Sequence, residues 1–520
     1  MDKADVAHIS RMLEKSRLVV WTLEERLERV RALQRLLRDN RQSLVAAIEA
    51  DFGGRGHPWT TVVDIGGGLN TAREVVMNLK DWMEPEYVGA AFPFNLAGDA
   101  YCIYQPLGVV LCVTPWNFPV HLAMSALADL LGSGNRVVLK PSEHAPRSSN
   151  LLRDLISKYF DPLDVSVICG NSDVAQELTA MKFDHILFTG SPRVGKMVMR
   201  AASDNLTPLT LELGGKNPCL IAPDYDLEHA AHEICDFKAA NAGQMCTCVD
   251  YVLVPKGRAN EFAEACMKRV VHRWGSSMPL VEHPQYCSMI NTTHANRVMS
   301  ILRDATQKGA SVRCLCPHGK QCRENKIALA LVLPPFQKNM RVITEEVFGP
   351  VMAVVEYSTV DEAVAYINAR ERPLAFYAFT DLSATKDLLL HRIVSGGVTI
   401  NALNTHAVIQ ALPFGGVGHS GFGAYHGIDG FRNFSHKKSV FVAKRGFFLP
   451  NLLPPFSNFD LKIVEAALKE PPKFKKIAYA ALACFLLHIA HRNGAPAAVY
   501  SALVKCIKYS CSILFRLPKA

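Results

Sequence analysis

The stretch Phe188-Thr189-Gly190-Ser191-Pro192-Arg193-Val194-Gly195-Lys196 contains the signals of a strand, a tight turn and the start of a helix. A short apolar run ends at Gly190, Ser191 is a residue type that caps helices, and Pro192 suits the first helical position. A helix that begins here points its free N–H groups and its positive dipole end at the turn, where a phosphate can bind. The stretch therefore predicts a strand–turn–helix unit of an α/β protein with a phosphate-binding turn.

The same residues also fit the phosphate loop of NTPases, because Gly190 and Gly195 are followed by Lys196. The next residue is Met197, whereas that loop continues with a Ser or Thr whose hydroxyl binds Mg²⁺. The NTPase interpretation therefore lacks its metal ligand. A plain strand–turn–helix without a ligand stays open as an alternative.

Strand and helix signals alternate on both sides of this unit. The segment Leu23 to Ala47 has apolar residues at helical spacing, so residues 1–85 are predicted to be helical. A second α/β region is expected from about 216 to 400, followed by a Gly-rich segment. Short apolar, β-branched runs predict strands at 100–113 (broken at Pro-Leu-Gly), 136–139, 165–168, 185–188 and 439–442. Such alternation predicts βαβ units and a parallel sheet.

Composition and charge bound the class of protein. The 520 residues exceed one ordinary core, so two large domains are expected. The net charge is +9, but residues 471–520 contain eight Lys and Arg and no acid, which leaves residues 1–470 near +1. A nucleic-acid-binding protein spreads basic charge over its fold, so nucleic-acid binding is not predicted.

The 15 cysteines lack the paired spacing of a disulfide scaffold, and the polar start of the chain does not resemble a secretory signal. A reducing, intracellular compartment is expected. Cys246 and Cys248 have no second Cys/His pair at zinc-finger spacing, so no metal site is predicted.

Three residues are candidates for catalysis. Cys246 lies in Gly243-Gln244-Met245-Cys246-Thr247-Cys248, where the preceding glycine lets the backbone turn, and a cysteine there can be a nucleophile or a small buried residue. Glu212 lies in an apolar run before two glycines, which raises its pKa and suits a general base, or a paired structural acid. Asn117 lies among aromatics and prolines and is either an oxyanion donor or a turn residue.

Further polar residues follow predicted strands. Lys140 and Glu143 lie at the end of the strand at 136–139, where open α/β sheets bind ligands, and can bond ribose hydroxyls or form a simple surface pair. Glu346 and Phe348 offer an acid and an aromatic ring beside a Gly-Pro turn.

The order and spacing of these motifs closely resemble the aldehyde dehydrogenase superfamily over residues 20–445. The stretch Pro413-Phe414-Gly415-Gly416-Val417-Gly418-His419-Ser420-Gly421-Phe422-Gly423-Ala424-Tyr425-His426-Gly427, with Phe434-Ser435-His436, is similar to the class 3 and fatty aldehyde branch. The resemblance implies an α/β fold with a Rossmann-like NAD-binding domain, an α/β catalytic domain, small oligomerisation strands and a C-terminal helical tail.

The resemblance also implies a role for each motif. Cys246 matches the nucleophile, Glu212 the base, and Asn117 the oxyanion amide, with the N–H of Cys246 as second donor. The cofactor, NAD with NADP possible, would be bound by Trp116, Lys140, Glu143, Gly190, Ser191, Gly195, Glu346 and Phe348. Lys140 and Glu143 match adenine-ribose contacts, Ser191 a pyrophosphate contact, and Glu346 the nicotinamide-ribose acid, with Phe348 near the ring. The cofactor supplies the electron sink, so no metal is needed.

One residue departs from the family pattern. The branch usually has Ala-Pro where this chain has Cys248-Val249. A Cys246–Cys248 bond would close a very tight, strained ring. Either this pair is a redox brake on the enzyme, or Cys248 is simple sequence drift.

The tail bears on substrate, because fatty aldehyde dehydrogenases are similar in ending with a hydrophobic anchor. The apolar stretch 477–490 rises only about 21 Å as a helix, short of the ~30 Å hydrocarbon core. Ser501, Lys505, Lys508, Ser512 and Arg516 form one helical stripe, typical of a helix in a membrane interface. The expectation is contact with membrane lipid on the cytosolic face, and the alternative is a helix docked on the protein's own core or in a dimer interface.

The expected organisation is N-terminal helices at 1–85, bridging or oligomerisation strands at 86–105 and 424–446, and an NAD(P)-binding domain at 106–212. A catalytic domain at 213–400, a Gly-rich return segment at 401–423 and a membrane-association tail at 447–520 complete it. The predicted function is NAD(P)-dependent oxidation of long-chain, membrane-derived aldehydes by a homodimer. Two alternatives stay open: an acyl-CoA-forming aldehyde dehydrogenase, against which Glu212 argues, and a catalytically silent membrane-bound scaffold.

Overall fold

The computed structural model describes residues 3–89, 98–316 and 321–444, together with residues 454, 455, 458 and 461. The α-helices in these ranges are α1 (Lys3–Leu18), α2 (Leu23–Asp39), α3 (Arg41–Phe52), α4 (His57–Thr60), α5 (Gly66–Trp82), α6 (His121–Gly132), α7 (Pro146–Tyr159), α8 (Ser172–Ala180), α9 (Pro192–Ser203), α10 (Leu227–Ala239), α11 (Ala259–Trp274), α12 (Thr292–Gln307), α13 (Arg341–Thr344), α14 (Val360–Asn368), α15 (Ser383–Arg392), α16 (Thr405–Val408) and α17 (Gly427–Asn433). A π-helical turn covers Thr61–Ile65, and 3₁₀ turns cover Ala240–Gly243, Leu280–Glu282 and Gly418–Ser420.

The strands in the same ranges are β1 (Glu86–Tyr87), β2 (Gly98–Pro106), β3 (Val109–Val113), β4 (Arg136–Lys140), β5 (Val165–Val167), β6 (His185–Gly190), β7 (Leu209–Leu213), β8 (Asn217–Ile221), β9 (Val249–Pro255), β10 (Ser311–Cys314), β11 (Cys322–Arg323), β12 (Lys326–Ile327), β13 (Ala330–Leu333), β14 (Val351–Tyr357), β15 (Ala375–Phe379), β16 (Gly397–Ile400), β17 (Gly421–Phe422) and β18 (Ser435–Ala443). The predicted strands at 100–113, 136–139, 165–168, 185–188 and 439–442 are all present, with ends shifted by a few residues.

The N-terminal region is helical, as predicted, but the periodic stretch Leu23 to Ala47 forms two helices. Thr22 caps α2: its hydroxyl accepts from the N–H of Glu25 (3.3 Å), whose carboxylate accepts from the N–H of Thr22 (2.7 Å). The helix ends at Asn40, whose φ of −109° leaves the helical region. The apolar spacing continues across this break, which is why periodicity alone does not reveal it.

The first large sheet has the order β17-β7-β6-β3-β4-β5, and all its strands are parallel except β17. Strands β3 and β4 are buried along their whole length, which explains their continuous apolar sequence. Lys140, Gly190 and Leu213 are the last residues of β4, β6 and β7. Because these strands are parallel, their carboxyl ends lie at one edge of the sheet, where such sheets bind ligands.

The second large sheet has the order β10-β13-β14-β9-β8-β15-β16, with only β10 antiparallel to its neighbour. Strands β11 and β12 form a separate hairpin. The mostly parallel α/β fold expected from the sequence is confirmed, and Cys246 lies on the segment that enters β9 of this sheet.

The chain divides into two compact units. Among the described residues, one unit comprises 3–84 and 104–436, and the other comprises 85–103 and the described positions from Lys437 onward. The second unit includes most of a three-stranded sheet of order β1-β2-β18. The boundaries and roles expected for the cofactor, catalytic and oligomerisation domains stay predictions.

The predicted membrane-association tail, 447–520, lies outside the described residues apart from four positions. Within the described ranges, no helix combines the length and hydropathy needed to cross a bilayer. Contact of the tail with membrane lipid therefore stays a prediction.

Candidate active site

The turn before Cys246 has an unusual backbone. Asn241, Ala242 and Gly243 all have positive φ angles, of 49°, 50° and 69°. At Gly243 a Cβ atom would lie 2.3 Å from the carbonyl oxygen of Gly349, so a larger residue does not fit without a backbone shift. Strained backbone of this kind persists only where its surroundings hold it, and here it delivers Cys246 to the start of β9.

Asn217, the first residue of β8, holds the backbone around the thiol. Its buried side-chain amide donates to the carbonyl oxygens of Cys246 (2.7 Å) and Cys248 (3.1 Å) and accepts from the N–H of Ala375 (2.9 Å). Thr247 is fixed from the other side, because its hydroxyl donates to Asn404 Oδ1 (2.7 Å). The position of Cys246 is thus set by bonds to its neighbours on both sides.

Asn117 lies against the same segment. Its side-chain amide donates to the carbonyl oxygen of Gln244 (3.2 Å), and its own carbonyl oxygen accepts from Asn241 (3.1 Å) and Arg55 (3.1 Å). An amide nitrogen has two N–H groups, and among the described residues this bond accounts for one of them. The structure therefore places the predicted oxyanion amide beside the predicted nucleophile.

Cys246 and Glu212 line one cavity of about 320 Å³, a volume suited to a small organic ligand. Glu212 lies on β7 and Cys246 on the approach to β9, so the two large sheets each contribute one reactive group. The rest of the lining is mostly apolar and aromatic, and includes Trp59, Phe118, Phe237, Phe414 and Tyr425. The cavity thus offers a thiol and a carboxyl group to an apolar ligand.

Glu212 is 2% exposed, and neither of its carboxyl oxygens has a hydrogen-bond partner among the described residues. Burial raises its pKa well above the ordinary value, in the direction predicted from its apolar sequence. Burial also raises the pKa of the Cys246 thiol to about 12, and the charges of Glu212 and Glu346 add to this rise. Hydrogen bonds to the sulfur from the N–H groups of Cys246 and Thr247 act in the opposite direction.

The turn between β6 and α9 has the geometry that the sequence predicts. The hydroxyl of Ser191 accepts from the N–H of Val194 (3.4 Å), and Pro192 is the first residue of α9. Gly195 allows the helix to approach β7, since a Cβ there would lie 2.8 Å from the side chain of Leu213. The N-terminus of α9 therefore faces the carboxyl edge of the first sheet.

Lys140 and Glu143 form an ion pair of 2.8 Å at the end of β4. The lysine side chain is only 3% exposed, while that of Glu143 is 36% exposed. This is not the simple surface pair that the sequence left open, because a buried ammonium group is held in place next to an accessible carboxylate.

Glu346 and Phe348 approach the site from the loop before β14. The Glu346 carboxylate accepts from the N–H of Gly215, and burial and Asp250 raise its pKa to about 8. Gly214 gives it space, because a Cβ there would lie 2.4 Å from a carboxyl oxygen of Glu346. The backbone of Phe348 has a positive φ of 45°. Its ring packs edge to face on the ring of Trp116, with 5.4 Å between the ring centres.

Several residues of the site were not identified from the sequence as functional. His121 and His426 line the cavity, and Asn217 orients the nucleophile. The sequence around His121 contains no pattern that indicates a cavity wall. His426 lies in a Gly-rich segment that pairs with β7, and this pairing places Gly421 opposite Glu212 and so brings the segment to the site. Long-range pairings of this kind are not visible in periodicity.

Comparison with known proteins identifies the family. The sequence profile described as "Aldehyde dehydrogenase family" matches residues 4–440. The chain is 41% identical over 423 residues to a coniferyl aldehyde dehydrogenase of a Pseudomonas species, covering 81% of this chain and 86% of that protein. It is 36% identical over 421 residues to the dimeric NADP-preferring aldehyde dehydrogenase of Mus musculus, covering 81% and 90% of the two chains.

The fold agrees with these relatives. The structure of Staphylococcus aureus AldH in a substrate-bound state matches with a TM-score of 0.83 and 29% identity, covering 90% of this chain and all of the other. The profile match spans both large sheets and every candidate site residue. The chain belongs to the aldehyde dehydrogenase family and is an oxidoreductase that acts on aldehydes.

Proposed function

We propose that this chain oxidises apolar aldehydes to carboxylic acids with NAD or NADP, using Cys246 as nucleophile and Glu212 as general base. The observation that carries the proposal is the shared cavity. It is apolar, it contains both the thiol and the Glu212 carboxyl group, which has no hydrogen-bond partner among the described residues, and the Asn117 amide lies next to the loop that carries the thiol.

The residues at the sheet edge fit a dinucleotide. The N-terminus of α9 offers a positive dipole end for a pyrophosphate. Lys140 and Glu143 offer a donor and an acceptor for a ribose diol, and Glu346 offers a second carboxylate between the sheet edge and the catalytic loop. NAD(P) is therefore the cofactor class that these groups favour, and the mouse relative, an NADP-preferring enzyme, agrees with it.

Attack by the Cys246 sulfur on the aldehyde carbon forms a carbon–sulfur bond and a negatively charged oxygen. The thiol proton is released to solvent water before the attack, so Glu212 is kept for the later step, the activation of a water molecule. The second N–H of Asn117 and the backbone N–H of Cys246 stabilise the oxyanion.

When bound, the oxidised nicotinamide supplies the electron sink for the hydride that the substrate carbon loses. The chain is then left with a thioester at Cys246. Glu212 removes a proton from a water molecule, whose oxygen attacks the thioester carbon and releases the acid and the Cys246 sulfur. The acyl-CoA-forming alternative needs no such base, so a buried Glu212 carboxyl group in the same cavity as Cys246 argues against it.

The finer proposal concerns the substrate. Long-chain, membrane-derived aldehydes are favoured by the apolar cavity and by the basic, apolar tail at 447–520. A second candidate substrate is an aromatic aldehyde, because a relative is named for coniferyl aldehyde and the cavity around Cys246 is rich in rings. Besides Trp59, six aromatic or imidazole side chains line it: Phe118, His121, Phe237, Phe414, Tyr425 and His426. A homodimer associated with the cytosolic face of a membrane completes the proposal, and the dimeric mouse relative supports the first part.

Formation of NAD(P)H from alkanals of increasing chain length and from an aryl propenal tests this proposal. Full-length protein and a 1–470 truncation are compared, with Cys246→Ser as the inactive control. A kcat/KM that rises with chain length and falls on truncation supports the long-chain substrate. A higher kcat/KM for the aryl aldehyde supports the second candidate. NAD(P)H formation that survives in Cys246→Ser contradicts the nucleophile assignment.

A further inference from the structure

A second cavity adjoins the catalytic one and belongs to the same compact unit of the chain. This outer cavity has a volume of about 690 Å³. Trp59 and Ala240 line both cavities, so the two share a wall. To reach the outer cavity, a substrate chain that extends from Cys246 would have to pass these two side chains, of which Ala240 is the smaller.

The outer cavity differs from the catalytic one in its charge. Three arginines line it, Arg55, Arg269 and Arg273, together with a single carboxylate, Asp236. Arg55 is neutralised by Asp64 at 2.7 Å, and both side chains are fully buried. Asp236 alone therefore faces the other two arginines, which leaves one positive charge in excess.

Arg269 and Asp236 form the fixed part of this cluster. Arg269 donates to both carboxylate oxygens of Asp236, with its Nε at 3.1 Å from each. Arg273, one helical turn later on α11, lies 3.7 Å from the same carboxylate, and its side chain is 57% exposed. Because Arg269 already occupies Asp236, the guanidinium of Arg273 has donors available for another anion.

Two imidazoles, those of His272 and His283, and several uncharged groups complete the lining. Burial and the charge of Lys326 lower the pKa of His283, which favours the uncharged ring. Trp274 packs edge to face on His283 at 5.1 Å. At the shared wall, the guanidinium of Arg55 lies 4.9 Å from the ring centre of Trp59, which also packs on Phe118 at 5.9 Å. The side chains that the two cavities share are therefore apolar. The excess positive charge, that of Arg273, lies in the outer cavity on α11.

We propose that the outer cavity is a subsite for an anionic group at the far end of the substrate, bound by Arg273. The preferred substrates are then aldehydes with an apolar middle and a distal carboxylate, or another anion of similar size. This inference rests on the proposed function, because it places the aldehyde end at Cys246. It also predicts that the preferred substrate is not a simple alkanal, because the apolar far end of an alkanal would not bind Arg273.

The test compares an ω-oxo carboxylic acid with its methyl ester of the same chain length, at low and high ionic strength. Wild-type enzyme should have the lower KM for the acid, and added salt should remove the difference, because exposed charges are screened. In Arg273→Gln the KM for the acid should rise about threefold, the size expected for one exposed charge contact, with kcat unchanged. The KM for the ester should not change.

Lys268→Gln provides the matched control. Lys268 lies on the same helix, is 70% exposed and pairs with Glu228 outside the outer cavity, so the variant loses the same charge without losing the subsite. An equal rise of KM in both variants would show general electrostatic steering and would overturn the proposal. Equal KM values for acid and ester in wild-type enzyme would also overturn it while leaving the proposed function intact. No NAD(P)H from either aldehyde would contradict the proposed function itself.

Discussion

Asn217 is predicted to position Cys246, and Asn217→Ala tests this role. The substitution removes three hydrogen bonds of 2.7, 2.9 and 3.1 Å and leaves the carbonyl oxygens of Cys246 and Cys248 without this donor. At about 1 kcal/mol for each bond, the variant should lose about 3 kcal/mol of stability. For domains of 150–250 residues, each kcal/mol shifts Tm by about 2–4 °C, so a fall of several degrees is expected.

The functional effect should exceed what lost stability explains. A displacement of the thiol by about 1 Å can lower the rate about 100-fold, because the reacting atoms are no longer aligned. The assays are kcat at a temperature where the variant is fully folded, and the rate at which iodoacetamide alkylates Cys246. Both rates should fall in Asn217→Ala, while cofactor affinity stays the same.

Asn135→Ala is the matched control. Asn135 is also fully buried and makes three bonds to backbone, accepting from Leu107 (2.8 Å) and Gly108 (3.0 Å) and donating to Phe434 (2.8 Å). It should lose similar stability without a change in Cys246 alkylation. The two variants are compared with each other when both are folded. If Asn217→Ala has the same kcat and the same Cys246 alkylation rate as Asn135→Ala, then Asn217 has no positioning role and the reasoning is refuted.

Three further changes test other parts of the account. In the unfolded chain Glu212 ionises near pH 4.5, whereas the folded state keeps its proton to higher pH, so stability falls as pH rises between these two pKa values. Glu212→Gln removes the stability loss that comes with ionisation, so the variant should be more stable than wild type at alkaline pH but not at acidic pH. Urea unfolding measures this, and a difference between variant and wild type that is equal at both pH values would contradict it. Glu143→Gln should raise the ratio of NADP to NAD affinity about fivefold, because a nearby carboxylate repels the 2′-phosphate by about 1 kcal/mol, and an unchanged ratio in cofactor titrations would argue against this contact. Gly421→Ala should lower Tm strongly, since φ is 121° and its Cβ would lie 1.9 Å from the Leu211 carbonyl oxygen, whereas Gly257→Ala, also at positive φ but with open space, should lower it less.

The local parts of the site could be predicted from the sequence because their signals are local. The end of β6, the Ser191 cap and the start of α9 follow from nine consecutive residues, and the apolar run around Glu212 indicates its raised pKa. The oxyanion amide and the base were paired with Cys246 by resemblance to a family. Their common surroundings are confirmed by the structure, while their catalytic roles stay predictions.

Other features depend on contacts between distant parts of the chain. Asn217 precedes Cys246 by 29 residues and reaches it only because β8 and β9 pair in parallel. His426 lines the cavity through a backbone of positive φ held by the buried Asp129, which accepts its N–H at 3.0 Å. Neither strand pairing nor a distant hydrogen bond leaves a periodic pattern, so the sequence alone does not indicate these positions. The break at Asn40 is hidden for a related reason, because the apolar spacing continues across it.

The central claim is that Cys246 and Glu212 act in sequence, the thiol before and the carboxylate after loss of the hydride. Stopped-flow measurement of NAD(P)H formation by Glu212→Gln with excess aldehyde tests this most directly. The account predicts a rapid burst of about one NAD(P)H per active site, followed by a steady-state rate lower by about 10²- to 10⁴-fold, the usual contribution of a general base. Steady turnover of Glu212→Gln at the wild-type rate would contradict the account.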